Sequence, residues 1–502
     1  MALNEQNADA SCIPVIIGVG EINDRPAPDA EGLDSVELMA AAARNADVDA
    51  GGGWIGKCDW LAIVPQISFR EYDVPAMLPK ALGISPAHVM QAPMADGDSP
   101  VRHINDAANA IAAGKAEVCL LVGGEAVRTS ARRAAASGTA KNLFAGSLAS
   151  ASELRRRYGL ITPSEIYPFY ENASRAAWGQ TLQEGQAETG EIWSRFSQVA
   201  ATSDGAWIKQ PRTPDEITDV NADNRMLAFP FAKLMVANSS VNQGAALIVT
   251  SLERALAAGI AENRLVYIGA GASAHEDNDP LTRAEWTGTA SMKVTLDKVM
   301  DLNGLKAPDL DHVELYSCFP CVPKLARREL GLSADRPLTV HGGLTFGGGP
   351  IGNYMSHAAA ALVRKLRQGG EYGLLYGNGG HCTHNHAIVL ARHQIAGVSL
   401  PQDYHYQSEA DALRGPVPPL TDVYEGPAVI ETYTVYYGRD GSPGHAVVLA
   451  RNPAGDRVIS RVDADDEAGI EYLTNGKHEP VGTRGTTIRK GESLHWQMPA
   501  GN

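Results

Sequence analysis

One order of strands and helices occurs twice along the chain, and this repeat limits the fold more than any other feature. In both copies, strand-like apolar runs flank an Ala-rich helical stretch. The segments of the first copy are 14–20, 60–64, 101–113 and 118–124. Those of the second copy are 312–316, 323–330, 353–366 and 372–377. Because strands that alternate with helices are typical of α/β proteins with parallel strands, we predict a duplicated β-α-β-α-β core.

The regions outside the two copies differ in composition and suggest a division of the chain. We predict core halves at 1–127 and 233–395, separated by an inserted subdomain at 128–232 that is rich in Arg and aromatic residues. A linker rich in Pro, Asp and Gln is expected at 396–420. Beyond it, alternating apolar and polar residues between Asp-Gly and Asn-Gly turns predict a small all-β domain at 421–502, with a barrel as one possible form.

The charge balance and the cysteine content exclude several classes of protein. With 43 Lys and Arg against 58 Asp and Glu, the formal charge is −15, which disfavours nucleic acid as a partner. Six cysteines in 502 residues do not form a disulfide framework. No apolar run is long enough to span a membrane, and the first residues do not have the pattern of a secretory signal. We therefore expect a cytoplasmic protein.

Four Gly-rich clusters occur where strands meet helices or where strands end, at 96–99, 123–124, 341–350 and 377–381. Glycines at such places let backbone N–H groups converge on a bound oxygen atom. None of the clusters matches a nucleotide-binding motif or the Ser elbow of a hydrolase. Each cluster alone is also explained by ordinary turn geometry, but their matching places in the two copies favour a binding site.

Several segments, taken as a set, resemble the thiolase superfamily. They are the run Asn238–Ala246, the segment Val313–Phe319 and the loop Gly342–Gly352. Within that superfamily, the chain is most similar to the branch related to sterol carrier protein 2, and to thiolase-like proteins of type 1, which have an extra C-terminal β domain. The resemblance implies a five-layer core and work on acyl-CoA thioesters, with a carbon–carbon bond made or broken.

The chain departs from the thiolase pattern at each catalytic position. Gly97 stands where the family has its nucleophilic cysteine, and Gly349 where it has the activating histidine. Tyr376 stands at the position of the second cysteine, which moves the substrate proton. A nucleophile and its base act as a unit, so we do not expect turnover through an acyl-cysteine.

Other side chains at these positions are candidates for a different chemistry. Tyr316 and Tyr376 offer phenol donors to an enolate or oxyanion, and Cys318 lies where the related branch also has cysteine. His381 follows Gly380 and is a candidate general base with a pKa near neutral. Each of these residues also has a plain structural interpretation, as a strand-end tyrosine, a buried cysteine or a surface histidine.

A second group of residues is predicted to bind the substrate. Backbone amides at Gly97, Gly349 and Gly380 would polarise a thioester carbonyl, and His341 is a candidate for the wall of the pocket. Ser239 and Ser240 lie near a serine that contacts the pantetheine arm in the family. No metal is expected, because the histidines and cysteines lack the spacing of a zinc site.

Coenzyme A or an acyl-CoA is the expected substrate, and the resemblance places its phosphates on the insertion. The basic residues there, which are equally explained as a solvated helix face, are Arg132, Arg133, Lys141 and Arg155–Arg157. The preferred function is cysteine-independent Claisen or retro-Claisen chemistry on a β-keto acid or acyl-CoA. The alternative is a non-catalytic module that binds CoA esters or a partner protein. A homodimer or a small partner subunit is also expected.

Overall fold

The computed structural model describes residues 9–27, 30–139 and 145–498. The strands of these residues, in chain order, are β1 (Pro14–Asn23), β2 (Trp60–Ile63), β3 (His88–Gln91), β4 (Val118–Ala126), β5 (Met226–Phe229), β6 (Phe231–Ala232), β7 (Asn242–Ser251), β8 (Val266–His275), β9 (His312–Leu315), β10 (Tyr372–Gly379), β11 (His384–Ala391), β12 (Leu420–Thr421), β13 (Gly426–Tyr437), β14 (Pro443–Arg451), β15 (Arg457–Val462), β16 (Arg484–Lys490) and β17 (Ser493–Gln497).

The α-helices, also in chain order, are α1 (Ser35–Asp49), α2 (Val74–Leu82), α3 (Ser99–Ala112), α4 (Val127–Ala136), α5 (Ala145–Ser150), α6 (Glu153–Tyr158), α7 (Pro163–Ala177), α8 (Leu182–Thr202), α9 (Pro214–Thr218), α10 (Leu252–Ala257), α11 (Ala290–Leu302), α12 (Cys321–Glu329), α13 (Tyr354–Gln368), α14 (Gln407–Leu413) and α15 (Glu467–Thr474). None of the described helices is both long and apolar enough to cross a membrane.

The core is a nine-stranded sheet in the order β3-β2-β4-β7-β1-β8-β11-β10-β9. The prediction of parallel strands is only partly right. The pairs β2–β3, β2–β4 and β9–β10 are parallel, whereas β7 runs antiparallel to both β1 and β4, and β11 to both β8 and β10. A strand buried on both faces is apolar throughout, so its sequence does not reveal its direction.

The helices pack in layers against the strands, as expected for a duplicated α/β core. Helix α1 covers β1, β4 and β7 on one outer face, and α11 covers β8 and β11 on the other. Helices α3 and α13 contact each other in the middle and touch strands of both halves. Helix α3 is buried along most of its length because Val101, Ile104 and Ile111 recur at helical spacing among alanines. Its N-terminus therefore lies deep in the molecule.

The C-terminal region forms the predicted barrel. Strands β13, β14, β15, β17 and β16 pair in a closed ring around a core that includes Ile430, Val448 and Trp496. The insertion joins this ring, because β5 pairs with β13 through Val435 and Phe229. Helix α14 lies inside the segment that the sequence suggests as a linker. The predicted boundaries between the segments stay predictions.

Candidate functional site

Asp96 lies at the centre of the site, just before the N-terminus of α3. Its Oδ1 accepts hydrogen bonds from the backbone N–H of Gly97, at 3.0 Å, and of Gly380, at 2.8 Å. These are two of the three amides that the sequence assigns to a substrate carbonyl. The third, at Gly349, donates to the carbonyl oxygen of Asn238 at 2.8 Å. All three donors are thus satisfied by acceptors of the protein itself.

The space beside Gly97, the predicted position of the nucleophile, is occupied by Tyr316. A Cβ atom added to Gly97 would overlap the Tyr316 hydroxyl and the carbonyl oxygen of Asn378. Tyr316 is 6% exposed, and burial raises its pKa well above the usual value. The glycine is therefore a requirement of packing here, since even alanine would not fit beside the phenol.

Tyr376 lies beside this group at the end of β10. It is fully buried, and its hydroxyl donates to Asn385 Oδ1 and accepts from Asn378 Nδ2 at 3.4 Å. Burial raises its pKa well above the usual value. The phenol is held in a fixed side-chain network as a neutral group.

Helix α7 of the insertion covers the site from the side of the barrel. The Tyr167 hydroxyl donates to the carbonyl oxygen of Gly380 at 3.2 Å and accepts from the N–H of Cys382 at 3.3 Å. Its ring stacks on Phe319, with 4.4 Å between the ring centroids. Cys318, 9% exposed, lies beneath this layer, and burial raises its pKa to about 12. The sulfur is a thiol at neutral pH and not a thiolate nucleophile.

His381 differs from the general base that the sequence suggests. Burial, together with the charges of Arg155 and Arg283, lowers its pKa to about 3, so the expectation of a near-neutral value is wrong. Its carbonyl oxygen accepts from Tyr170 and from Arg283, which fixes the loop between β10 and β11. Cys382, the next residue, has a positive φ of 55°, so the histidine-rich run is not one continuous strand.

His341 belongs to a separate, closed cluster. Its Nδ1 lies 3.1 Å from Ser203 Oγ, and burial lowers its pKa to about 4. The neighbouring Glu21 carboxylate accepts from His357 Nδ1 at 2.6 Å and pairs with Arg364. Although burial alone would raise the pKa of Glu21, the hydrogen bond from His357 and the neighbouring charge of Arg364 lower it well below the usual value.

The structure brings forward a pair of residues that sequence reasoning did not single out as a site. His384, at the start of β11, bonds through Nδ1 to Asp96 Oδ2. Burial alone would lower the pKa of His384, but Asp96 raises it. A surface pocket of about 220 Å³ reaches both residues, and its walls include Ser99, Arg102 and Asn278. The signal in the sequence was an acidic Gly-rich turn in the first copy and a histidine-rich turn in the second. The two turns meet in the fold.

Ser239 and Ser240 lie on another side of the core, in the partly exposed turn that precedes β7. The N–H of Arg128 donates to the Val241 carbonyl oxygen at 3.4 Å, which places the start of α4 against this turn. Arg25 and Arg128 lie over the ring of Trp207, at 4.0 and 5.8 Å from its centroid. Burial and the charge of Arg128 lower the pKa of Arg25. Among the described residues, neither guanidinium has a carboxylate partner.

The arginines expected to hold the phosphates of coenzyme A all contact oxygen atoms of the protein. They are Arg132, Arg133, Arg155, Arg156 and Arg157. Lys141, which was expected beside them, lies outside the described residues.

Comparison with known proteins shows which family and which folds this chain is similar to. Residues 407–492 match the family model of the thiolase-like protein type 1 additional C-terminal domain. The chain is similar to the crystal structure of a monomeric SCP2-thiolase like protein type 1 from Mycobacterium smegmatis, with 28% identity and a TM-score of 0.82, over 97% of this chain and 100% of that chain. No curated protein matches the chain.

Two further solved structures share the fold at lower identity. An Ltp2-ChsH2(DUF35) aldolase has 19% identity and a TM-score of 0.60, over 77% of this chain and 99% of its own. Human mitochondrial 3-ketoacyl-CoA thiolase, solved in complex with CoA, has 16% identity and a TM-score of 0.55, over 76% of this chain and 98% of its own. Residues 407–492 thus match the additional C-terminal domain of thiolase-like protein type 1, and the chain as a whole is similar to an SCP2-thiolase like protein of that type.

Proposed function

We propose that this protein binds a CoA ester, or a small molecule related to one, without acyl-cysteine catalysis. The observation that carries the proposal is the engagement of the Gly97 and Gly380 amides by Asp96. An oxyanion can be stabilised only by donors that are free to meet it. A charged carboxylate already bonded to both amides opposes a second negative charge at the same place.

The turn that contains Ser239 and Ser240 is the part of the surface best suited to the CoA. Arg25 and Arg128 lie next to it and supply positive charge on a chain with a net charge of −15. Paired guanidinium groups are well suited to the phosphates of such a ligand. The complex of CoA with human mitochondrial 3-ketoacyl-CoA thiolase, which shares the fold, supports the choice of ligand class.

Calorimetric titration with CoA and acetyl-CoA tests the binding part of the proposal. We expect Arg128→Gln to weaken binding by about 10-fold, because a charge-assisted hydrogen bond contributes roughly 1.5–3 kcal/mol. The matched control is Arg254→Gln, since Arg254 follows the far end of β7 and is 45% exposed. No binding by the wild type, or equal losses in both variants, would contradict the proposal.

Turnover is tested on a panel of β-ketoacyl-CoA esters and β-keto acids. We expect neither release of free CoA nor a new thioester, and mass spectrometry should find no acyl adduct on any cysteine. Steady release of CoA by the wild type would show that catalysis survives.

A second candidate function is Claisen or retro-Claisen chemistry without cysteine, with Tyr316 as the proton donor. The overlap between the Tyr316 hydroxyl and the nucleophile position favours it. Tyr316→Phe separates the two candidates, because loss of the hydroxyl should abolish turnover under this one and leave CoA affinity unchanged under the first. His381 and Tyr376 would then serve as proton carriers or as structural groups, which the same assay distinguishes.

The protein is further proposed to act in the cytoplasm, as a homodimer or with a small partner subunit. An aldolase complex between Ltp2 and ChsH2(DUF35) shares the fold and gives a precedent for such a partner. Purification of the untagged chain from its natural source should recover the partner in a fixed ratio, whereas a homodimer would give a doubled mass by sedimentation.

A further inference from the structure

Asp96, Asp98 and His384 form a cluster that the proposed function does not use. One potential ligand atom from each of the three lies within 4.8 Å of those of the other two. The two aspartates are 7% and 2% exposed, and His384 is partly exposed at the wall of the surface pocket. Buried carboxylates at this distance repel each other unless a cation or protons balance them.

Each carboxylate has one oxygen held by a group outside the cluster. Asp96 Oδ1 is bonded to the two glycine amides, which leaves Oδ2 for His384. Asp98 Oδ2 pairs with Arg102 at 2.9 Å. Its other oxygen, Oδ1, is buried and has no hydrogen-bond partner among the described residues. Outer groups that orient ligands in this way are typical of metal sites.

The unsatisfied oxygen of Asp98 needs a physical explanation, because a buried acceptor without a partner is costly. The residue caps α3 by position but makes no side-chain cap bond to its N-terminus. A bound cation would satisfy this oxygen directly.

The pocket leaves room for further ligands of such a cation. It has a volume of about 220 Å³, and Ser99 and Asn278 line it together with Asp96 and His384 of the cluster. A site with three protein ligands and access to solvent keeps a coordination position for water or a small oxygen ligand. One imidazole and two carboxylates suit divalent first-row transition metals, with Zn²⁺ as the representative ion.

We propose that Asp96, Asp98 and His384 bind a divalent transition-metal ion, with an open coordination position towards the pocket. Binding would replace the proton that His384 shares with Asp96, and it does not depend on whether the chain binds CoA. The Glu21 cluster, which has one carboxylate and two histidines, is less suitable because Arg364 already neutralises its carboxylate.

The test uses the full untagged chain, stripped with a chelator and dialysed against ZnCl₂, with elemental analysis of the retained metal. We expect about one Zn²⁺ per chain. His384→Gln and Asp98→Asn should each weaken retention by at least about 100-fold, since loss of an outer group alone costs 10–100-fold. The matched control is His275→Ala, because His275 lies beside His384, with 6.2 Å between the ring centroids. That variant should retain the ion.

A second measurement on the wild type does not depend on how the variants fold. Zn²⁺ should protect His384 from diethyl pyrocarbonate, as read by mass spectrometry, while His275 remains reactive. Affinity should also fall as the pH is lowered, because protons compete for the imidazole. No uptake by the wild type, retention by both site variants, or equal protection of the two histidines would overturn the proposal.

Discussion

Asp96 determines what the site can do, because its carboxylate occupies the amides that a thioester carbonyl would need. It accepts two backbone N–H bonds and bonds to His384. Burial alone would raise its pKa, but these partners lower it, so the group is ionised at neutral pH. A single side chain thus converts a candidate oxyanion site into an internal ion pair.

Gly97→Ala tests whether packing leaves no space for a side chain at this position. The added methyl group would overlap the Tyr316 hydroxyl, and overpacking of a dense core costs about 1–3 kcal/mol. We expect a lower midpoint in urea unfolding. Gly56→Ala is the control, because nothing lies within 4 Å of its added Cβ.

A cysteine substitution at the same position tests whether the site supports formation of an acyl-cysteine. Gly97→Cys should form no acyl adduct with acetyl-CoA, because Asp96 already accepts from the Gly97 and Gly380 amides and holds His384 in an ion pair. A stable Gly97→Cys variant that becomes acylated would show that the site is more open than its contacts indicate.

The burial of His103 should make the free energy of unfolding depend on pH. It is 1% exposed on α3, Nε2 lies 3.2 Å from the Ile63 carbonyl oxygen, and burial lowers its pKa to about 4. Between this value and an unfolded pKa of about 6.5, the unfolded chain binds more protons. The stability that the neutral ring contributes is therefore complete above about pH 6.5 and is lost as the pH falls towards 4.

Urea unfolding at about pH 7.5 and about pH 5 measures this effect. His103→Gln should lose less stability over this range than the wild type, by up to about 2 kcal/mol, because one pKa unit corresponds to about 1.4 kcal/mol. An equal loss of stability in the two proteins would mean that folding does not lower the pKa of His103 and that the folded protein carries its charge at the lower pH.

At the scale of the elements, α7 closes the site. The Tyr167 ring stacks on Phe319, and its hydroxyl bonds to the loop after β10. Tyr167→Ala should destabilise the fold by about 3–5 kcal/mol through the cavity it leaves. Cys318 should then react faster with a maleimide, as measured by mass spectrometry under native conditions. Tyr436→Ala, at a 38% exposed barrel position, is the control and should change neither property.

The elements also show how far the sequence predicts the fold. The repeat predicted β2, α3, β4, β9, α13 and β10 with ends within a few residues of those observed. It did not predict β7, β8 or β11, whose pairing completes the sheet. Their runs are apolar or rich in small residues on both faces, because helices cover both sides, so no alternation marks them.

The site was less predictable than the fold. Gly97 and Gly380 were expected together and do lie together around Asp96. Whether their amides are free depends on the rotamer of Asp96, which brings together segments 284 residues apart. The low pKa of His381 likewise depends on burial and on arginines from the insertion and from beyond β8. Local sequence contains no information about such long-range neighbours.

At the scale of the whole molecule, the barrel and the core form one structure. Barrel residues Val447, Leu449 and Ile459 belong to the same apolar cluster as α3 and α13. The side chains of Thr432 and Asn172 link β13 to α7 through bonds to the backbone carbonyls of Phe169 and Tyr433. Contacts of this kind, spread over both bodies, imply that one does not unfold without weakening the other.

Arg457→Met tests this coupling. Arg457 is fully buried in the barrel, pairs with Glu431 at 2.7 Å and donates to the carbonyl oxygen of Arg283, in the core, at 2.6 Å. Its loss leaves a mostly buried carboxylate and a core carbonyl without this partner, which costs about 3–5 kcal/mol. Calorimetry should show one transition in the wild type and one transition at lower temperature in the variant. Arg489→Met, at an exposed site on β16, should leave the transition in place. If the variant gave two transitions, with the core unfolding at the wild-type temperature, the barrel would be an appended domain and would not support α7 over the site.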